Sequence, residues 1–285
     1  MQKRLCDISN AIQKGIKSMT NLSCFLVAFF ALSSLQPLIP QYLFASPKVL
    51  QLATVEDLHT IPRVLHLTYK DYHKIPTKVW DLLREMAPEY KIKFYDDAAC
   101  REFISRHFKR KTLNKFDSLV LGAHKADLFR YCVLYVHGGV YFDIKIKPDV
   151  PLSQMFDHEK LDVFYTVLSA YDHIFQGFLA TYPKNNIFLN LINRLVDTPN
   201  YEIRKDYEIF LRQFRDELKN MIGHDLTPGE HPLNSRRGSV VLYQEINKQE
   251  NGESKDRYGS YCGIYTDNTG NFRLAKTRYS DFPWK

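Results

Sequence analysis

Apolar and polar positions from residue 61 onward follow a pattern that predicts an α/β domain. The run RVLHLTY after Pro62 predicts a first buried strand, VWDLLREM has helical spacing, and YKIKFYD predicts a second strand. Strands that alternate with helices are typical of an α/β sheet whose ligands gather at the carboxyl ends of the strands. For the first strand that rule indicates His66, Thr68 and Tyr69.

The segment AHKADLFRYCVLYVHGGVYFDIKIKPDV, residues 123–150, predicts a helix, a glycine stop and a strand in quick succession. Apolar side chains recur at helical spacing until Gly138 and Gly139, which can end the helix with positive φ angles. In the following VYFDIKIK, apolar and polar residues alternate. This alternation predicts a strand with one apolar and one polar face, on which Asp143 and Lys145 lie together.

Asp127 and Arg130 lie three residues apart on the predicted helix, so their side chains project from the same side. Two residues at this spacing can form an ordinary surface ion pair, or they can jointly bind a polyhydroxylated ligand. The spacing alone favours the surface pair. Only the surrounding sequence favours the ligand.

Composition and charge fit one globular catalytic domain and do not indicate nucleic-acid binding. The 285 residues are 45% hydrophobic and 25% charged. Of the net charge of +7, residues 1–17 contribute +3, through four basic residues against Asp7. No motif interleaves basic and aromatic residues in the way RNA-binding modules do. None of the five cysteines forms a C-x-x-C pair, which argues against a zinc or redox site.

An uncharged stretch from Ser18 to Pro47 contains the apolar run LSCFLVAFFALSSLQPLIP and follows the basic N-terminus. This arrangement is typical of a signal anchor whose N-terminus lies in the cytosol. A cleavable signal peptide ending near Ala45 is the alternative, and it would give a secreted or endoplasmic-reticulum lumenal protein. The predicted organisation is a cytosolic tail over 1–20, a transmembrane helix over 21–39, a stem over 40–60 and a catalytic domain over 61–285.

The segment HKADLFRYCVLYVHGGVYFDIKIKP resembles the donor-site core of glycosyltransferase family 32, which includes fungal Golgi α-mannosyltransferases and lactosylceramide-type α-galactosyltransferases. IPRVLHLTYK and EYKIKFYDD are similar to the first two strands of that family, and QGFLATYPKNNIFLNLINRL is similar to its later strand and helix. The resemblance covers most of residues 61–195. Its specificity rests on Asp127, Arg130, the two glycines, Tyr141 and Asp143 at these spacings.

The resemblance implies a GT-A type fold, a Rossmann-like mixed sheet flanked by helices. Together with the predicted anchor, it implies a Golgi membrane protein of single-pass type II topology with a lumenal catalytic domain. It also implies transfer of a sugar from a GDP- or UDP-sugar to a glycan, glycolipid or glycoprotein, with retention of anomeric configuration. Asp127 and Arg130 would bind the donor sugar, and Asp143 would hold the ribose or a metal-bound diphosphate. The further donor-binding residues would be His66, Thr68, Tyr69, Tyr141, Lys145, Gln176 and Trp284.

Lys145 departs from the family pattern, which usually has a second aspartate there and so reads D-x-D. Two carboxylates at that spacing suit Mn²⁺ or Mg²⁺, whereas a lysine supplies positive charge directly. A metal requirement at Asp143 is therefore open. Two alternatives to the transferase follow: an inactive protein that binds sugar nucleotides, and a glycoside hydrolase that uses Asp127 and Asp143 as its carboxylate pair.

Overall fold

The computed structural model describes residues 59–234, 237–247 and 262–277. The strands of these residues are β1 Val64–Thr68, β2 Lys91–Tyr95, β3 Gly139–Asp143, β4 Lys147–Pro148, β5 Val163–Leu168, β6 Ile174–Thr181, β7 Gly229–Pro232, β8 Ser239–Asn247, β9 Cys262–Tyr265 and β10 Arg273–Thr277. Their α-helices are α1 Thr77–Met86, α2 Asp97–His107, α3 Arg110–Ser118, α4 Gly122–His137, α5 Asn186–Asp197, α6 Asn200–Lys205 and α7 Ile209–Ile222.

The described strands form one mixed sheet in the order β2-β1-β3-β6-β5-β8-β9-β10-β4, and β7 pairs with β8. β1 lies parallel to both β2 and β3, and β5 is parallel to β8, whereas the other pairs are antiparallel. The predicted α/β class is confirmed, and so is the opening of strand, helix and strand, which corresponds to β1, α1 and β2.

Apolar side chains on both faces of the sheet build the core. Successive residues of β3 alternate between two buried clusters: Tyr141 packs in the cluster that includes α4, α5 and α7, while Val140 and Phe142 pack in the cluster that includes α1. β3 is buried on both faces, so packing on each side restricts its movement. β3 therefore positions its last residue, Asp143, firmly.

α4 ends at the predicted glycine pair. Every residue from Asp127 to Leu134 is buried, so the helix is packed on most of its circumference. Gly138 has a φ of 60° and donates its N–H to Leu134 O at 2.8 Å, and Gly139 has a φ of 92°. The helix, glycine stop and strand predicted for this segment are confirmed.

The polar face predicted beyond position 140 is wrong in two respects. β3 ends at Asp143, and the Ile146 N–H donates to Asp143 O at 2.9 Å to close a turn. Ile144 and Ile146 are buried within this turn, so the apolar spacing continues although the strand does not. Tyr141 is also fully buried, because α4 covers the face that was expected to be polar.

The predicted tail, anchor and most of the stem lie outside the described residues. In the described ranges, no helix combines the length and the apolar character needed to cross a membrane. The described cysteines Cys100, Cys132 and Cys262 are buried and free.

Candidate functional site

Arg130 joins two carboxylates that come from different elements. Its Nη2 lies 3.4 Å from Asp127 Oδ1 on α4 and 3.2 Å from Asp143 Oδ1 at the end of β3. Its Nε donates to Ala126 O at 3.2 Å, and its Cζ lies 4.7 Å from the centroid of the Tyr141 ring. The side chains of Asp127 and Arg130 are only 12% and 6% exposed. Asp127 and Arg130 therefore form a buried pair rather than a surface ion pair, and removing one partner would leave an uncompensated charge.

A chain of hydrogen bonds that begins at Thr68 on β1 and passes through Tyr141 fixes the carboxylate of Asp143. The Tyr141 hydroxyl donates to Asp143 Oδ1 at 3.2 Å and lies 2.8 Å from Thr68 Oγ1, which donates to it in turn. Thr68 and Asp143 are register partners in the parallel pair β1–β3. On the other side, a Cβ added at Gly177 of β6 would lie 2.6 Å from Asp143 Oδ2. Glycine at this position thus lets β6 approach the carboxylate closely.

Burial and charge act in opposite directions on these groups. Burial raises the pKa of Asp127 to about 6, Arg130 and His124 oppose the rise, and the charge of Asp143 adds to it. Burial alone would lower the pKa of Arg130, but Asp143, Tyr141 and Asp127 raise it above the ordinary value. Arg130 is therefore a permanent cation. Burial also raises the pKa of Tyr141, so its hydroxyl stays protonated and available to donate.

A cleft of about 510 Å³ opens at the carboxyl ends of β1 and β3. Among the residues that the structure describes, its walls carry four cationic side chains and two carboxylates, and its volume lies within the range of small-molecule sites. The lining residues are Thr68, Tyr69, Lys70, Asp97, Cys100, Phe116, Gly122, Ala123, Lys125, Ala126, Arg130, Asp143, Ile144, Lys145, Phe175, Tyr207 and Thr277. The cleft therefore suits an anionic ligand of small-molecule size.

The structure brings most of the predicted site together in this cleft. Thr68, Tyr69, Arg130, Asp143 and Lys145 line it. The side chain of Asp127 lies behind Arg130 and is absent from the described lining. Trp284 lies outside the described residues.

Three other predicted donor-binding residues, His66, Tyr141 and Gln176, are buried rather than in the cleft wall. The His66 Nε2–H donates to Gly138 O at 3.1 Å, and the Tyr95 hydroxyl donates to His66 Nδ1 at 3.3 Å. Burial lowers the pKa of His66 to about 3, so the ring is neutral. His66 thus joins β1 to the glycine turn, while Tyr141 supports Asp143 from behind.

The cleft also contains residues that the sequence reasoning did not select. Lys70 directly follows Tyr69 at the end of β1, and Lys125 lies on α4 in the motif that contains Asp127. Both lysines are close in sequence to predicted site residues, and this closeness could have identified them. Tyr207 gave no such signal, because it lies between α6 and α7 and reaches the cleft only through packing. The His124 Nε2–H donates to its carbonyl oxygen at 3.0 Å. The pKa of Tyr207 is raised mainly by burial and further by the negative charges of Asp127 and Asp143.

The residues present do not form the two-carboxylate metal site that a D-x-D motif supplies. Position 145 is lysine, and Asp143 Oδ1 already accepts from Tyr141 and pairs with Arg130. Within the described part of the chain, no three His, Cys, Asp or Glu side chains cluster as metal ligands would. Hard divalent cations select oxygen ligands, and an ammonium group repels them.

A second cleft, of about 520 Å³, lies at the opposite end of β1, where Arg63 precedes the strand. Its walls include Asp157, His158 and Tyr243. None of the predicted site residues within the described ranges lines it, so the candidate chemistry belongs to the cleft at Arg130 and Asp143.

Comparison with known proteins identifies the segment that contains this site. Residues 75–162 match the family described as "Glycosyltransferase sugar-binding region containing DXD motif". An uncharacterized glycosyltransferase of Acanthamoeba polyphaga mimivirus is 26% identical over 237 residues, which cover 78% of this chain and 84% of that protein. Inositol phosphoceramide mannosyltransferase 3 of Schizosaccharomyces pombe is 27% identical over 162 residues, 50% of this chain and 45% of that protein.

The solved structure of the PaToxG glycosyltransferase overlaps 58% of this chain and 70% of its own, with 15% identity and a TM-score of 0.47. The family match begins just before α1 and ends just before β5, and so it includes Arg130, Asp143 and Lys145. The resemblance stated from the sequence is thereby confirmed, since the segment that contains the site is similar to glycosyltransferases whose sugar-binding region contains the DXD motif.

Proposed function

We propose that this protein is a retaining hexosyltransferase of GT-A type that binds a nucleoside diphosphate sugar in the cleft at Arg130 and Asp143. The observation that carries the proposal is the buried arginine between two carboxylates, at the carboxyl end of a parallel strand and beside a cluster of lysines. Ligands of α/β sheets bind at that edge. A sugar nucleotide offers the hydroxyl groups and the diphosphate that these side chains can bind.

The proposed roles follow from exposure. Asp143 is 39% exposed and holds hydroxyl groups of the donor, because a carboxylate accepts from two hydroxyls at once. Arg130 presents its remaining N–H groups to the sugar. Asp127 does not line the cleft, so it acts as a positioning residue that keeps Arg130 in place.

In the transfer step, the bond between the anomeric carbon and the diphosphate oxygen breaks, and its electron pair stays on the diphosphate. The acceptor hydroxyl oxygen forms the new bond on the same face of the sugar, and its proton passes to the departing diphosphate. Negative charge grows on the leaving group, so fixed positive charge in the cleft stabilises the transition state. No side-chain nucleophile is needed.

The relatives guide the choice of substrates to test. The name of the Schizosaccharomyces pombe relative describes mannose transfer to inositol phosphoceramide. We therefore place GDP-mannose first among donors, with UDP-hexoses beside it. Acceptors include a glycolipid together with free glycans and a glycoprotein.

The hydrolase alternative is less favoured by the same geometry. A glycosidase needs two carboxyl groups that both reach the substrate. Of the proposed pair, Asp143 lines the cleft, whereas Asp127 does not; its side chain is 12% exposed and paired with Arg130.

Titration calorimetry on the full chain tests the proposal. We expect one GDP- or UDP-sugar to bind, and Asp143→Asn to weaken its affinity by about tenfold or more, because hydrogen bonds to a charged group contribute about 1.5–3 kcal/mol. Asp81→Asn is the matched control: Asp81 pairs with Arg84 at 3.0 Å on the exposed surface of α1. We expect that variant to bind as the wild type does.

Transfer to the acceptor panel then separates the enzyme from an inactive binding protein. Product formation with the selected donor supports the transferase. Binding without transfer to any acceptor would favour the binding protein, and an Asp143→Asn variant with unchanged affinity would remove the donor site from this cleft.

A further inference from the structure

We propose that the cleft binds the diphosphate of its donor through lysine side chains, above all Lys145, and that binding requires no divalent cation. This inference rests on the proposed function, since it concerns how the same cleft holds the donor. It departs from the pattern expected of a D-x-D motif, in which two carboxylates hold a cation against the phosphates.

The turn after β3 determines where Lys145 lies. The hydrogen bond from Ile146 N–H to Asp143 O closes the turn at 2.9 Å, and the Ile144 side chain is 4% exposed and lies in the core. The backbone on both sides of Lys145 is therefore fixed. Its half-buried side chain lines the same cleft as Asp143.

The charges that line the cleft favour an anion over a cation. In the described part of the lining, the cations Lys70, Lys125, Arg130 and Lys145 face two carboxylates, those of Asp97 and Asp143. Asp143 is already paired with Arg130, and Asp97 lies 4.0 Å from Lys125. Asp127 also pairs with Arg130 from behind the lining. Because cationic side chains still outnumber carboxylates among these described groups, the cleft favours an anionic diphosphate over a divalent cation.

Lysine also suits the chemistry that the cation would otherwise supply. As the anomeric bond breaks, charge accumulates on the diphosphate oxygens, and an ammonium group fixed beside them stabilises that charge. Lysine interacts with phosphate as a compact point charge with several donors. The lysines of the cleft therefore bind the diphosphate in the ground state and stabilise it as it departs.

The test is the affinity of the full chain for GDP and UDP, measured by titration calorimetry in EDTA and again with Mn²⁺. We expect the wild type to bind one of them about equally in both. Lys145→Asp restores two carboxylates two residues apart. We expect its affinity in EDTA to fall by about tenfold or more and to recover when Mn²⁺ is added.

Lys147→Asp is the matched control, because it makes the same charge change two residues later, in β4 and away from the described lining of the cleft. It should bind as the wild type does in both conditions. Lys145→Met is a second variant in case the aspartate prevents folding. It should lose affinity in both conditions without rescue by Mn²⁺.

The outcomes distinguish this inference from the proposed function. A wild type that binds only with Mn²⁺, or a Lys145→Met variant with unchanged affinity, would overturn the lysine mechanism and leave the donor site intact. A folded wild type that binds neither nucleotide in either condition would overturn both.

Discussion

Two Asp–Arg pairs with the same spacing, on two different helices, have different roles because one is exposed and the other is buried. Asp81 and Arg84 on α1 are three residues apart, as Asp127 and Arg130 are on α4. The first pair is 64% and 63% exposed and contributes at most a few tenths of a kcal/mol. The second pair is buried beside the cleft. Local sequence could not separate them, because the burial of Asp127 depends on how other helices pack around α4.

His66 shows how burial turns a candidate ligand into a structural residue, and it predicts sensitivity to acid. Its folded pKa of about 3 lies below the unfolded value near 6.5, so the unfolded state binds the proton more readily. The stability that neutral His66 supplies is complete above about pH 6.5 and is lost as pH falls towards 3. Between about pH 6.5 and 5 this loss amounts to about 2 kcal/mol.

Urea denaturation across that pH range measures the loss. His66→Gln removes the titration and keeps an N–H donor for Gly138 O, so we expect its unfolding free energy to vary about 2 kcal/mol less over the same range. His73→Gln is the control, because His73 is exposed on the surface. If His66→Gln kept the full pH dependence of the wild type, the buried neutral histidine would not be its source.

At the scale of elements, the junction of α4 and β3 depends on glycine, and it predicts a large effect of one methyl group. Gly139 has a φ of 92°, and a Cβ there would lie 2.6 Å from Val64 O in β1. An alanine would be strained in its backbone and would push β1 away from β3. We expect Gly139→Ala to lower the unfolding free energy by about 1–3 kcal/mol, measured by urea denaturation.

Gly122→Ala is the matched control for that change. Gly122 is the first residue of α4, and a Cβ there would meet no heavy atom of the described structure within 4 Å. Alanine restricts the unfolded chain and suits a helix, so we expect a gain of about 0.4–1 kcal/mol. Equal losses from both substitutions would show that the glycine content, not the geometry at Gly139, determines the effect.

The elements near the site could be predicted wherever local pattern and tertiary packing agree. The helix stop at Gly138 could be predicted from the glycine pair, and the opening strand, helix and strand from their apolar periodicity, because the folded structure keeps these local patterns. The end of β3 could not be predicted, because Ile144 and Ile146 keep the apolar spacing of a strand although they pack from a turn. The burial of Tyr141 could not be predicted for a related reason, since it depends on tertiary packing in the cluster that includes α4.

At the scale of the whole molecule, the cleft assembles parts of the chain that are distant in sequence. β1 and β3 provide its floor through parallel pairing, while Tyr207 and Thr277 enter from segments far along the chain. The contributions of β1 and β3 could be predicted from the sequence, because ligands of such sheets gather at the carboxyl ends of the strands. The distant walls could not, because their positions depend on the complete order of strands in the sheet.

The positive excess of that assembled cleft predicts how salt affects binding. Its described lining has four cationic groups and two carboxylates, so much of the affinity for a nucleoside diphosphate should come from charge. The screening length shortens from about 10 Å at 0.1 M salt to about 3 Å at 1 M. We expect affinity for GDP or UDP in EDTA to fall about three- to tenfold between about 0.05 and 0.5 M NaCl, because partly buried charges are screened only in part.

The uncharged nucleosides guanosine and uridine are the matched ligands, since they offer the same base and ribose without phosphates. Their affinity should be lower and nearly independent of salt. Equal salt dependence for nucleoside and nucleotide would mean that the lysines do not contact the diphosphate, and the site would then have to recognise its ligand through the base and ribose alone.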